Sequence, residues 1–241
     1  MRSSPTEVLA GAILNPDATV SVVHQGAEGQ SVIVIDEILA DADHWRELAA
    51  TAEYRQIGAH YPGIRALFPD DASQALRSEL EPLLAENFES VPPVHECYFS
   101  IVTTQPEALA PIQRLPHVDG LERDRIAILI YLSGGEMGGT AFYRQRATGF
   151  ETLDRERFPA FKAALEAGVA EHGLPPAAYI SGDTPLYEQI ARYEARPNRA
   201  LIYRSRALHC GDIVPGAALG ADPVSGRLTI NGFLFDPGRA Q

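Results

Sequence analysis

From Thr19 to Leu39 the chain alternates polar and β-branched residues in "ATVSVVHQGAEGQSVIVIDEIL", two strand-like runs around a glycine-containing turn that predict a hairpin. The period then changes. In "DADHWRELAATAEYRQ", Trp45, Leu48, Ala49 and Ala52 fall on one helical stripe, with Asp41 or Asp43 as the cap and Trp45 in the core. A turn-rich "HYPGIRALFPDD" follows, then a second helical run, "ASQALRSELEPLLAENF", in which Pro82 predicts a break or kink.

From His95 onward strand signals dominate: "HECYFSIVTT", "RIAILIYLS", "GGTAFYR", "NRALIYRS" and "GRLTINGFLF", separated by Gly, Pro and Asp turns. So many strands of this length suggest a mainly β sandwich or jelly roll with flanking helices. Residues 147–197 interrupt them with "RERFPAFKAALEAGVAEHG" and "TPLYEQIARYEA", an amphipathic segment expected to be a helical insert or lid. The expected organisation is one domain over residues 1–241, with hairpin and supporting helices in 1–94, a β core in 95–146 and 198–236, and the insert in 147–197.

The 241 residues suffice for a sizeable core. Acidic residues exceed basic ones by 12, which argues against a phosphate-tracking nucleic-acid surface and leaves a modest bias toward neutral or cationic partners. The two cysteines, Cys97 and Cys210, form no C-x-x-C pair, so a reducing cytoplasm is expected. The opening "MRSSPTEVLAGAILNPDATV" is too weakly apolar for a secretory signal, and no membrane span is expected.

Chemistry concentrates in "LPHVDG". In an extended backbone, side chains two residues apart point the same way, so His117 and Asp119 can aim a nitrogen and an oxygen at one point. The competing reading is a polar turn with a capping Asp. A metal site needs a third ligand, drawn from His24, His44, His60, His95, His172 and His209. Of these, His209 follows the strand "NRALIYRS" at the head of "HCGD", read as a turn, where binding groups collect. Two histidines and a carboxylate would form the facial triad of non-haem Fe(II) oxygenases.

Eighteen residues beyond His209 stands Arg227. Alternation puts Arg227, Thr229, Asn231, Phe233 and Phe235 on one strand face and Leu228, Ile230 and Leu234 on the other, so the strand is buried on both sides. An arginine there needs a carboxylate, from a neighbouring acid or from a bound dicarboxylate.

The ordered set resembles the Fe(II)- and 2-oxoglutarate-dependent oxygenases, especially their prolyl 4-hydroxylase-like branch. It comprises H-x-D at 117–119, Tyr131-Leu132 before Gly138, Gly139 and Phe142, the distal His209, and R-x-T at 227–229. The similarity spans roughly residues 95–235, and "YPGIRA" is similar to an uncharacterised bacterial subgroup. The resemblance implies a double-stranded β-helix (jelly roll, cupin-like) with His117, Asp119 and His209 as iron ligands. Arg227 and Thr229 would hold the distal carboxylate of 2-oxoglutarate, assisted by Tyr98 or its rival Tyr131. Fe(II) with 2-oxoglutarate and O2 as cosubstrates would hydroxylate an unactivated C–H bond of an amino acid, peptide or small natural product. Asp119 fills the position that related halogenases leave for halide, which favours hydroxylation.

Arg144 and Arg146 are candidate substrate contacts, or else solvated strand-end charges, and Glu136 and Met137 are assigned to a turn. His95 and the other remaining histidines are read as structural, and Cys210 as a small buried residue. Two other classes compete: a non-catalytic cupin-like binding protein, and a metal hydrolase in which the triad holds zinc.

Overall fold

Strand-forming runs assemble two antiparallel sheets in the computed structural model, which describes residues 12–217 and 219–239. The expected hairpin is β1 (Thr19–Gln25) and β2 (Gln30–Asp36). With β3 (Gly63–Leu67), β4 (Val94–Val102), β5 (Ile126–Tyr131), β8 (Arg199–Arg204) and β10 (Arg227–Phe235), it builds a seven-stranded sheet in the order β1-β2-β8-β5-β10-β4-β3. A three-stranded sheet, β7-β6-β9, comprises β6 (Gly139–Gln145), β7 (Tyr187–Glu194) and β9 (His209–Asp212). The protein is therefore mainly β, with three α-helices among the described residues.

Alternation decides what each face of the large sheet covers. Ile33, Phe99, Ile128, Ile202 and Ile230 pack against Trp45 and Ala49 of α1 (Ala42–Ala50) and Leu76, Leu80 and Leu84 of α2 (Asp70–Asn87). The opposite face turns Val34, Leu129, Tyr131, Leu201, Tyr203 and Phe233 toward Phe142 of the small sheet. Arg227, Thr229 and Asn231 share that inner face, as their alternation with Leu228 and Ile230 predicts. The site thus lies between the layers.

Asp41 is the α1 cap, its carboxylate accepting the His44 N–H at 2.9 Å. That helix ends at Ala50, well short of Gln56, because Thr51 turns its N–H and hydroxyl back to the Leu48 carbonyl. The chain beyond is drawn into a bridge between Arg55 and Arg65. α2 runs unbroken through Pro82, since Leu76, Leu80 and Leu84 bury its stripe on both sides of the proline.

Three strands escaped the sequence pattern. "YPGIRA" contains β3, where Gly63 permits the approach to β4: a Cβ there would lie 1.9 Å from the Ile101 carbonyl oxygen. Residues 147–197 are helical only in α3 (Phe158–His172), whereas "YEQIARYE" is β7, paired along β6. "HCGD" is β9 rather than a turn, because it too pairs with β6. These corrections share a cause, since pairing partners distant in sequence outvoted local signals. The opening stretch read as too weak for a signal lies, through residue 11, outside the described residues. No helix among the described residues is long and apolar enough to cross a membrane.

Glu151, 2% exposed, ties the hairpin turn to β6. Its carboxylate accepts the Ala27 and Glu28 N–H groups at 2.9 and 3.0 Å and the Arg144 Nε–H at 2.8 Å. Burial pushes its pKa up, but these donors outweigh burial and hold it below the ordinary 4.5. A lowered carboxylate pKa stabilises the fold above the unfolded value, and that contribution is lost as pH falls through the folded one. Glu151→Gln is expected to cost about 1–3 kcal/mol at pH 7. The deficit should shrink below pH 4.5, as urea unfolding at the two pH values would show.

Candidate metal centre and its cleft

His117 and His209 face each other across an isolated antiparallel bridge. The His117 N–H donates to the His209 carbonyl at 2.8 Å, and the His209 N–H returns the bond at 2.9 Å. Asp119 is fixed one step on, its N–H donating to the Ser205 carbonyl at 2.9 Å. Extended backbone then brings the Asp119 carboxylate to the same side as His117, with Oδ1 3.6 Å from His117 Nε2 and Oδ2 3.4 Å from His209 Nε2. Asp119 therefore faces two imidazoles rather than capping a turn.

The three ligand atoms lie within 4.8 Å of one another, the one such trio among the described residues. Two ligands at right angles on metal bonds of about 2.1 Å sit roughly 3 Å apart, so the two shorter separations are close to a coordinating geometry. Tautomer chemistry agrees. His209 Nδ1 lies 2.9 Å from the Ala207 carbonyl, to which it donates, leaving the Nε2 lone pair for the centre. Burial disfavours the His209 imidazolium, but the Asp119 carboxylate overcomes this and raises its pKa. Burial likewise pushes Asp119 upward, yet the imidazoles of His209 and His117 win and hold it well below the usual carboxylate range.

The trio opens on a cleft of about 490 Å³ that also holds Arg227, Thr229 and Arg65. A second cleft, about 510 Å³ beside Glu122 and Asp154, has no such ligand trio among its described residues. Arg227 is 5% exposed, and its Nη2 donates to the Gly139 carbonyl at 2.8 Å while its Nε has no partner. No described carboxylate pairs with it; Asp212 is taken by Arg192 and Asp36 by Arg199. The Gly139 carbonyl is placed by Gly138, at φ +99°, where a Cβ would lie 1.8 Å from the Asp212 carbonyl oxygen. A Cβ on Gly139 would in turn lie 2.1 Å from the Tyr193 carbonyl oxygen, which is why β6 is entered through two glycines.

Thr229 lies beside Arg227 on the inner face, its hydroxyl 2.6 Å from Asn231 Oδ1. Tyr131 stands opposite Thr229 in the register, its hydroxyl 2.6 Å from Thr140 Oγ1 and its ring 5.7 Å from Arg227 Cζ. Tyr98 lies elsewhere, donating to Glu96 at 3.3 Å and packing its ring toward Arg65. Tyr61, which sequence reasoning passed over, lines the cleft. Burial raises its pKa, opposed by the charges of Arg65 and Arg227. The signal available for it was "YPGIRA".

Arg144 and Arg146 are not cleft residues; Arg144 pairs with Glu151 and Glu188, and Arg146 with Asp183. Glu136 and Met137 sit in a short 3₁₀ turn, as expected. His95 Nδ1 lies 2.9 Å from the Ser73 carbonyl, a structural role. Cys210 is buried at the cleft wall, and burial pushes its thiol up to about 12.

Fold and site together define a mainly β protein whose two sheets enclose a candidate His-Asp-His metal site. The chain belongs to the family described as a family of unknown function, DUF6445, whose model matches residues 16–234. No curated protein matches it. Similar solved structures include a prolyl-4-hydroxylase from Pseudomonas putida, 14% identical with TM-score 0.48 over 88% of this chain and 95% of that one. HygX from Streptomyces hygroscopicus, with nickel, 2-oxoglutarate and hygromycin B bound, is 14% identical with TM-score 0.48 over 86% and 84%. The epimerase SnoN from nogalamycin biosynthesis is 13% identical with TM-score 0.47 over 86% and 78%. Such likenesses are too loose to carry a conclusion about this chain.

The geometry leads to one divalent ion per chain, bound more weakly as pH falls because the imidazoles must be neutral to ligate. Equilibrium dialysis with Co(II) should show that stoichiometry. His209→Ala or Asp119→Ala should weaken binding by more than the roughly 10–100-fold typical of an outer-shell change.

Proposed function

We propose that the protein is an Fe(II)- and 2-oxoglutarate-dependent dioxygenase of the prolyl 4-hydroxylase-like kind, its two sheets forming a double-stranded β-helix. Its reaction is hydroxylation of an unactivated C–H bond in an amino acid, peptide or small natural product. The observation that carries this reading is Arg227, buried without a carboxylate in the same cleft as the His-Asp-His trio. A buried cation is costly unless paired, and a guanidinium fork matches a carboxylate bidentately.

The residues suit an iron ion and 2-oxoglutarate. Two imidazoles and one carboxylate suit Fe(II) and leave three positions for other ligands. A dicarboxylate could reach both that ion and Arg227, and 2-oxoglutarate carries a keto acid at one end and a carboxylate at the other. When bound, iron and cosubstrate supply the oxidation, in which O2, 2-oxoglutarate and a C–H bond become succinate, CO2 and a C–OH group.

The chain's contribution is orientation and exclusion of water. Ala207 holds the His209 ring through Nδ1, and Gly139 fixes the Arg227 fork through Nη2. Tyr203 stands edge-on to the His209 ring at 4.9 Å and Phe142 lies 6.0 Å from it, giving the ligands apolar support. Thr229, next to Arg227 on the inner face of β10, and Tyr61, on the wall of the same cleft, offer hydroxyls for the same carboxylate. A zinc hydrolase built on the trio would leave Arg227 without a purpose, and a non-catalytic cupin-like protein would form no succinate.

Anaerobic titration of iron-loaded protein with 2-oxoglutarate is expected to raise a visible charge-transfer band. Asp119→Ala should abolish it, and Arg227→Leu should weaken 2-oxoglutarate binding by about 30-fold or more, the effect of removing one partner of a buried charge pair. A folded, iron-loaded protein with no band would reject the assignment.

A further inference from the structure

Arg227 is not the cleft's one unpaired cation. Arg65, in the middle of β3, is half-buried and lines the same cavity. No described carboxylate forms an ion pair with it, and its Nε is shielded from solvent without a hydrogen-bond partner. Arg144, Arg192 and Arg199 are matched to Glu151, Asp212 and Asp36, whereas the partly buried Arg125, Arg204 and Arg206, which also make no ion pair with a described carboxylate, do not line this cleft.

The bland reading is a guanidinium used as packing. Its Cζ does stand 4.1 Å from the centre of the Tyr61 ring, 5.4 Å from Tyr98 and 6.0 Å from Phe233. Aromatic stacking engages the faces of the guanidinium plane, however, and leaves its N–H edges, the groups that pair with a carboxylate, unused. The rings therefore hold Arg65 in place with its donors free.

Register separates the two arginines. Arg65 stands opposite Ser100, which stands opposite Thr229; Arg227 lies one side-chain row further, opposite Val102. β3 and β10 flank β4, so the two arginines are two strands apart, about 10 Å, in addition to the row offset. The side chains also lean apart: Arg65 Cζ lies toward Tyr98 and Phe233, whereas Arg227 reaches the Gly139 carbonyl on the other layer, 5.7 Å from the Tyr131 ring, so the two guanidiniums address different parts of the cleft.

Charge balance points the same way. The chain carries a net charge of −12, yet Asp119 is the one carboxylate among the described residues lining this cleft. Under the function proposed above, Asp119 and the two carboxylates of 2-oxoglutarate balance a divalent ion and Arg227, which leaves the charge of Arg65 uncompensated. The bias toward cationic partners suggested by composition is thus reversed where binding occurs. Beyond Arg65 the wall presents Phe233, Ile213 and Ile112, the last 52% exposed.

We infer that Arg65 anchors a carboxylate on the substrate, and that the substrate class is a small organic acid with an apolar body. The inference rests on the oxygenase reading for its account of charge, but the anchoring itself is measured independently of turnover. Calorimetric titration of anaerobic, iron-loaded protein saturated with 2-oxoglutarate would use phenylacetate, 3-phenylpropanoate, hexanoate and N-acetyl-leucine, each against its primary amide.

At least one acid is expected to bind, at least tenfold more tightly than its amide. Arg65→Gln should remove that preference while leaving the 2-oxoglutarate affinity within twofold of the parent. Equal binding of acid and amide, acid binding that survives in Arg65→Gln, or no acid binding at all would overturn the inference. Should Arg65→Gln not fold, the acid-to-amide ratio in the parent decides. The charge-transfer band, read in the same samples, reports the other proposal separately. A band without acid preference rejects the anchor alone, whereas acid preference without a band rejects the oxygenase reading alone.

Discussion

Two backbone hydrogen bonds between His117 and His209 hold the site together. They join the loop before β5 to the first residue of β9, and so set the two imidazoles 4.5 Å apart, centre to centre. Asp119 follows without further cost, because the pleat returns every second side chain to the same face. His209 is in turn held by Phe142 of β6, and β6 by β7 on its other edge. The small sheet therefore supports the candidate metal ligands, and β7, in a segment whose sequence suggested an insert, is part of that support.

Several carboxylates packed in the fold take an arginine partner. Glu151 gathers backbone donors and Arg144, Asp36 takes Arg199, and Asp212 takes Arg192. A buried ion without a partner is expensive, so such pairing is the expected economy of a folded interior. Among the guanidiniums without an ion pair, Arg65 and Arg227 stand out because both open on the cleft that carries the trio. They stand on strands to either side of β4, which gives the cleft two cationic side chains.

The inner-face rows also show why the cleft is shaped as it is. Reading across the large sheet, Arg65, Ser100, Thr229 and Tyr131 form one lateral row, and Gly63, Val102 and Arg227 the next. Gly63 in the second row lets β3 close on β4 and carries no side chain toward Arg227. The Arg227 fork meanwhile crosses to Gly139 on the opposite layer, so the residue that would bind the cosubstrate also links the two sheets.

Much of this was legible in the residues themselves. The hairpin, both N-terminal helices, five strands and the two-faced character of β10 follow from periodicity, because burial on one or both faces leaves a local imprint on residue choice. The spacing of His117 to Asp119 placed two candidate ligands on one side for the same reason. Tertiary structure alone decided β3, β7 and β9, whose short, polar or glycine-bearing sequences become strands only when a distant partner supplies the hydrogen bonds. It also chose His209 over the other histidines and left Arg227 without an acid. Sequence shows that an arginine needs a partner, but only the packed chain shows which carboxylates are already taken.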